Sequence, residues 1–306
     1  MKAVLLSGGV GGARFALGLV DVLDPADVTV IGNVGDDLEV FGLHVSPDLD
    51  TLLYTLAGVA DEERGWGRAG ETWTALETAA ALGADAWFQL GDRDLGLHLA
   101  RAESLGRGQP LSRAIAQLAA ALGVETAILP ATDDPVRTWL VTPAGDLPFQ
   151  EWFVRRRHAD DVDAVRFDGA ETAAPAPGVL EALEAADLIV VGPSNPYVSI
   201  GPILAVEAIR RAIAERRVPA VAVSPLVGGR AVKGPADRML ARLAGGTGPR
   251  HVASCYDRLI DALVIDESDS PEGLTVRPIV TRTLMTDGDA RRRVAEAALE
   301  AAAALR

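Results

Sequence analysis

Aspartates, glycines and a few arginines must carry whatever chemistry this chain performs, because its four histidines are scattered and its one cysteine, Cys255, stands alone. The densest stretch is "NVGDDLEVFGLHVSPDLDT", residues 33–51, which sets Asn33, Asp36, Asp37, Asp48 and Asp50 in one loop region. Several carboxylates near a phosphate-binding turn suit Mg²⁺, a hard cation that takes one or two carboxylates and completes its shell with phosphate oxygens and water. The plainer reading is that Asp36 starts a turn and Asp48 caps the helix predicted for "LDTLLYTLAG".

A candidate phosphate turn lies just upstream. "LLSGGVGGARFALGL" (5–19) runs from an apolar strand pattern through Gly8, Gly9, Gly11 and Gly12 into an amphipathic helix. A dinucleotide fingerprint would need glycine where Arg14 stands, and an acid at the tip of the next strand where Asn33 stands. A triphosphate loop would need Gly-Lys-Ser/Thr, which is absent. What survives is the physics: glycines allow close backbone approach, and the following helix presents unpaired N–H groups to an anion.

Four further stretches offer polar groups. "GDRD" (91–94) places Arg93 among acids at a predicted helix start, suited to gripping a heterocycle or phosphate, or simply to pairing with a neighbouring Asp. His98 has no second histidine at ligand spacing, which favours a structural role. "VGPSNPYVSIGPIL" (191–204) brings Ser194 and Asn195 to the end of a strand. "SPLVGGRAVKGPADRML" (224–240) brings Lys233 beside a helix start, as a diphosphate clamp or a solvated charge. In "EWFVRRRHADD" (151–161), read as a strand, Arg155 and Arg157 share a face and could meet one carboxylate or phosphate, or form an exposed basic edge.

The elements that must position these residues read as strand–helix–strand units. Strands are predicted over 2–7, 27–33, 187–192 and 219–225, and helices over about 12–23 and 199–217. Helical periodicity also recurs over 49–58, 71–83, 94–104 and 110–123, after which 125–168 returns to strands around the turn "TPAGD". "AETAAPAPG" (170–178) reads as a short linker, and 287–305 as a helix opened by an Asp or Gly cap. The fold class is α/β: a doubly wound, mostly parallel Rossmann-like sheet (1–59 and 124–306) with a helical insertion subdomain (60–123). Ligands in such sheets gather at the carboxyl ends of the strands.

Composition narrows the partners. A formal charge of −14 and a pI near 4.7 argue against a nucleic-acid or anionic-membrane surface, and 5% aromatics give no stacking platform for single strands. A lone cysteine excludes an intrachain disulfide and a Cys-rich zinc site. The N-terminal segment lacks a secretory pattern and no segment approaches a membrane span, so a cytoplasmic protein is expected. A homodimer is expected on the general prevalence of symmetric oligomers.

Taken together, "LSGGVGGARFALGL", "NVGDDLEVFGLHVSPDLDTLLYTLAG", "WFQLGDRDLGLHLAR", "FQEWFVRRR", "GPSNPYVSIGPIL" and "SPLVGGRAVKGPADRM" resemble, in order and over nearly the whole chain, the CofD family of 2-phospho-L-lactate transferases of coenzyme F-420 biosynthesis. The resemblance implies transfer of a phosphate bearing a small carboxylic acid from a guanosine diphosphate derivative to the deazaflavin Fo, with Mg²⁺ and release of GMP. The donor carries lactate or phosphoenolpyruvate, the latter favoured by the Ala/Arg-rich, Lys-poor composition. Matching motif by motif, Asp50 and Arg93 would bind Fo.

For the chemistry so implied, phosphate-charge screening and alignment would have Asp36, Asp37 or Asp50 hold Mg²⁺, Gly9, Gly11, Gly12 and Lys233 cradle the diphosphate, and the 192–196 loop take the nucleoside. Asn33 would join the substrate site, and Arg155 and Arg157 would meet the small acid's carboxylate. Two rivals share parts of this pattern. One is the gluconeogenesis-factor family of regulatory nucleotide-sugar binders, from which "SPDLDT" and "GDRD" set the chain apart. The other is a nicotinamide dehydrogenase, disfavoured by Arg14 and Asn33.

Overall fold

The computed structural model describes residues 1–305. Its centre is a seven-stranded sheet in the order Arg277–Thr281, Ala262–Asp266, Ala220–Val223, Leu188–Val191, Ala3–Ser7, Val28–Gly32, Ala127–Pro130. Every pairing in it is parallel. The order reverses between Ala3–Ser7 and Leu188–Val191, and such a switch point leaves a crevice outside the carboxyl ends of the two strands.

These segments become strands because both faces can be buried. "AVLLS" (3–7) is buried throughout, and its alternation sends Leu5 to one face of the sheet and Val4 and Leu6 to the other. Neighbouring strands repeat the split, with Val30, Val190 and Val264 on the first face and Ile31, Ile189 and Leu263 on the second. The first face is covered by the Gly9–Val20, Pro47–Leu56 and Gly288–Ala303 helices. Gly18 lets two of them touch, since a Cβ there would stand 2.7 Å from the Arg291 carbonyl oxygen. Asp287 caps the last helix, as expected, by accepting from the Ala290 N–H at 2.9 Å.

The predicted strands after residue 125 divide between two sheets. Ala127–Pro130 joins the central sheet, whereas Arg137–Thr142 pairs antiparallel with Gly145–Pro148 and Ala164–Asp168 in a separate one. The 199–217 helix is broken instead of continuous. A wide turn at Pro196–Ile200 leads into helices Gly201–Ala205 and Glu207–Ala214, separated by Val206 in an extended conformation. Val206 is fully buried among Ile203, Ile209 and other apolar side chains, so tertiary packing overrides the helical pattern.

Among the features not anticipated are the Leu38–Val40/Leu43–Val45 hairpin and the strands Ala262–Asp266 and Arg277–Thr281. Segment 60–123 forms the helices Thr74–Ala81, Asp92–Gly106 and Leu111–Ala121. Its buried Leu97, Leu111, Ile115 and Ala119 pack into the main core with Val28 and Ile128, so these helices serve the crossover between two central strands.

Candidate active site

At the switch point the glycine turn closes against the 193–199 loop. Gly8 is extended, Gly9 has φ +66°, and the helix opens from there. A Cβ on Gly11 would lie 2.5 Å from the Pro193 carbonyl oxygen, and one on Gly12 would collide with the hydroxyls of Ser7 and Ser194. The Gly8 N–H donates to Ser194 Oγ at 3.3 Å. Close backbone approach, the property expected of these glycines, is therefore spent on joining the two halves of the sheet. Asn195 turns away to organise its own loop, accepting from the Tyr197 N–H and contacting Met239 Sδ through Nδ2 at 3.3 Å. That contact lays the Ala236–Leu243 helix, and the Lys233 loop before it, alongside.

All four aspartates of the acidic loop are buried. Asp48 does not cap its helix: Ser46 occupies the cap position and Pro47 begins the first turn, while Asp48 points back to the switch point. There it accepts from Asn33 Nδ2 at 2.9 Å and from the Gly9 N–H, and a Cβ on Gly8 would come within 2.6 Å of its Oδ2. Asn33 also donates to the Val198 carbonyl and accepts from the Gly35 N–H, tying acids, glycine turn and 193–199 loop together. Asp37 accepts from Ser46 Oγ at 2.9 Å and contacts His44 Nε2 at 2.9 Å.

Burial raises the affinity of these carboxyls for protons, and at Asp37 it outweighs the pull of His44 and Arg137. Asp36 lies well above the usual carboxylate range through burial and the nearby charge of Asp48. Burial pushes Asp48 up to about 6 and raises Asp37, against the hydrogen bonds each receives. One oxygen of Asp36 and one of Asp37 are buried with no hydrogen-bond partner among the described residues. Orphaned carboxylate oxygens beside a phosphate-type turn fit Mg²⁺. Among the described residues, no group of three or more His, Cys, Asp or Glu side chains is placed to hold a metal ion.

Asp50 fits that role less well. Both its oxygens are engaged by Arg101, through Nη2 and, at 3.2 Å, Nη1. Arg101 is fully buried; desolvation works against its charge, but Asp50 overrides this and holds its pKa above the usual value. Around the pair, His98 Nδ1 lies 3.3 Å from Arg101, His98 Nε2 lies 3.6 Å from Asp94, and Tyr54 donates its hydroxyl to Asp94. Arg101, His44, Tyr54 and Asp94 were missed from sequence. The one available signal was a charged residue at position i+4 from Leu97 on an otherwise core-facing stripe.

Arg93 lies exposed on the first turn of the helix that carries Arg101, two turns earlier. It has no ion pair among the described residues, and its Nη1 would lie 3.1 Å from a Cβ on Gly70. Its backbone N–H and that of Asp94 donate to Glu71, while Asp92 accepts from the Thr74 and Ala75 N–H groups, so two facing helix starts cap one another. Lys233 reaches across to donate to the Gly65 carbonyl at 3.3 Å. The 59–73 loop thus touches Lys233 at Gly65 and Arg93 at Gly70.

The arginine run departs from expectation. Glu151–Arg155 is a wide helical turn, not a strand, because Trp152 and Phe149 anchor it in an aromatic cluster. Arg155 is exposed, paired with Asp85 at 2.9 Å and set over the Trp87 ring, and Arg157 is exposed at φ +52°. The alternation that would have turned both toward one anion does not exist.

A parallel doubly wound sheet with a glycine turn and buried acids at its switch point has the crevice in which folds of this class bind ligands. The family model for 2-phospho-L-lactate transferase CofD matches residues 3–303, and the chain belongs to that family. It is 46% identical over 100% of both chains to a phosphoenolpyruvate transferase from Streptomyces griseus. It is also 42% identical to one from Thermobifida fusca (100% of this chain, 99% of that one) and 40% identical to one from Mycobacterium tuberculosis (95% of each). In fold it resembles a UPF0052 family protein from Bacillus halodurans, with a TM-score of 0.64 at 18% identity, covering 97% of this chain and 98% of the other. The chain is an enzyme, a transferase of phosphoenolpyruvyl or phospholactyl groups. Among the described residues, no helix is long and apolar enough to cross a membrane.

Proposed function

We propose that the protein transfers a phosphoenolpyruvyl group from a guanosine diphosphate derivative to the deazaflavin Fo and releases GMP. The enolpyruvyl form is supported by relatives at 40–46% identity that bear the name phosphoenolpyruvate transferase. The observation that carries the site is the pair of unpartnered buried oxygens on Asp36 and Asp37, held beside a glycine turn by the Asn33 network.

In this reading the glycine turn and Ser194 cradle the diphosphate and Lys233 neutralises it from the opposite loop. Asp36 and Asp37 hold Mg²⁺, which when bound screens the phosphate charge. Asp50, fixed by Arg101, accepts a hydrogen bond from the ribityl hydroxyl of Fo, and Arg93 steadies the ring. The hydroxyl attacks the phosphorus that bears the small acid; the new P–O bond forms as the bond to the departing GMP oxygen breaks, in line, and the hydroxyl proton passes to Asp50 and on to water. Alignment and fixed charges supply most of the acceleration.

The test offers the purified protein Fo, Mg²⁺ and, in parallel, lactyl, enolpyruvyl or glyceryl guanosine diphosphate, with products read by mass. Enolpyruvyl transfer with stoichiometric GMP is expected. Transfer of lactate alone would correct the donor, and no transfer from any of the three would remove the reading.

A further inference from the structure

With Arg155 and Arg157 turned outward, no residue considered so far meets the carboxylate of the transferred acid. Resting on the proposed function, we infer that Arg64 is the residue that recognises this carboxylate and so determines donor specificity.

The argument starts from how Arg64 is held. Its guanidinium lies 4.9 Å from the Trp66 ring centroid and 5.1 Å from that of Trp73, and because the two rings stand 6.4 Å apart they wall it together on one side. Asp61 fixes one edge, 3.0 Å from Nη2, and also accepts from the Arg64 backbone N–H at 2.7 Å. The other terminal nitrogen, Nη1, is buried and has no hydrogen-bond partner among the described residues. A fork with one edge satisfied and the other desolvated without an acceptor is costly unless an acceptor is brought to it, and a carboxylate oxygen matches its geometry and charge. Lysine, a hydrated point charge, would not be organised this way.

Position supplies the second step. Gly65, the next residue, receives the Lys233 ammonium on its carbonyl oxygen. Five residues on, Gly70 abuts the Arg93 guanidinium. The loop carrying Arg64 therefore spans the cation assigned to the diphosphate and the cation assigned to the acceptor. The transferred acid, esterified to the terminal phosphate of the donor, has its carboxylate only a few bonds from that phosphorus. A carboxylate reader must stand next to the phosphate clamp, and Arg64 does. Bridging of Ala60 to Arg68, with Asp61 N–H to the Gly67 carbonyl at 3.0 Å, keeps the loop in shape without a ligand.

The experiment measures, by calorimetry with Mg²⁺, the affinities of the wild-type chain for GDP and for lactyl or enolpyruvyl guanosine diphosphate. Arg64→Ala and Arg64→Lys are measured in the same way, with circular dichroism confirming the fold. The wild type is expected to prefer the acid-bearing nucleotide by about tenfold or more, the scale of one desolvated charged hydrogen bond. That preference is expected to fall to about one in Arg64→Ala and to shrink in Arg64→Lys. A preference retained in both variants overturns the role of Arg64 and leaves the transferase reading standing. Equal wild-type affinity for the two ligands overturns the donor assignment itself, and the inference with it.

Discussion

Replacing Arg101 by methionine separates two explanations of why Asp50 sits where it does. Arg101 is fully buried, Asp50 is 4% exposed, and both carboxylate oxygens point at the guanidinium. Removing one partner of such a pair leaves a desolvated charge and costs about 3–5 kcal/mol, whereas replacing both by apolar side chains of similar size is often nearly neutral. Arg101→Met should therefore lose about 3–5 kcal/mol, read as a lower urea midpoint at unchanged slope. At roughly 2 °C per kcal/mol for a chain of this size, that is a melting temperature lower by about 6–10 °C. The Arg101→Met/Asp50→Leu double variant should recover most of this loss while remaining inactive with Fo. A loss below about 1 kcal/mol in the single variant, or a double variant that sums the two single losses, would show that the pair is not coupled and that Asp50 is held by its helix alone.

Three other outcomes follow from the same geometry. Asp48, raised from 3.8 to about 6, binds its proton more tightly in the folded state; its contribution is fully favourable below about pH 4, is lost as pH rises through 6, and amounts to about 3 kcal/mol. Asp48→Asn should remove that part of the decline when urea midpoints of the two proteins are compared from pH 4 to 7. Gly11→Ala, whose Cβ would meet the Pro193 carbonyl oxygen at 2.5 Å, should push the glycine turn off the 193–199 loop and slow transfer about a hundredfold in steady-state assays. Asp36→Asn should weaken Mg²⁺ activation, seen as a higher half-saturating Mg²⁺ concentration, and chelation should abolish transfer in the parent; an unchanged Mg²⁺ curve would remove Asp36 from the metal site.

The sequence by itself determined what depends on near neighbours. The strands at 3–7, 28–32, 188–191 and 220–223, the glycine turn and the helices over 47–56 and 92–106 announce themselves through apolar runs, caps and periodicity, because burial on a sheet face or helix stripe repeats every two or 3.6 residues. The same locality placed Gly9, Gly11, Gly12, Asn33 and Ser194 at one edge, since parallel strands deliver their following loops to the same side.

What only the tertiary structure decided is which charges meet. Arg101 finds Asp50 across 51 residues, Lys233 finds Gly65 across 168, and Arg155 is drawn to Asp85 across 70. Local sequence carries no trace of such pairings, because which groups face each other is set only once the helices and loops have packed, and for the buried Arg101–Asp50 pair desolvation then enforces the match. For that reason Asp48 read as a cap and became a link to the glycine turn, while the arginine run read as a ligand face and became a solvated corner.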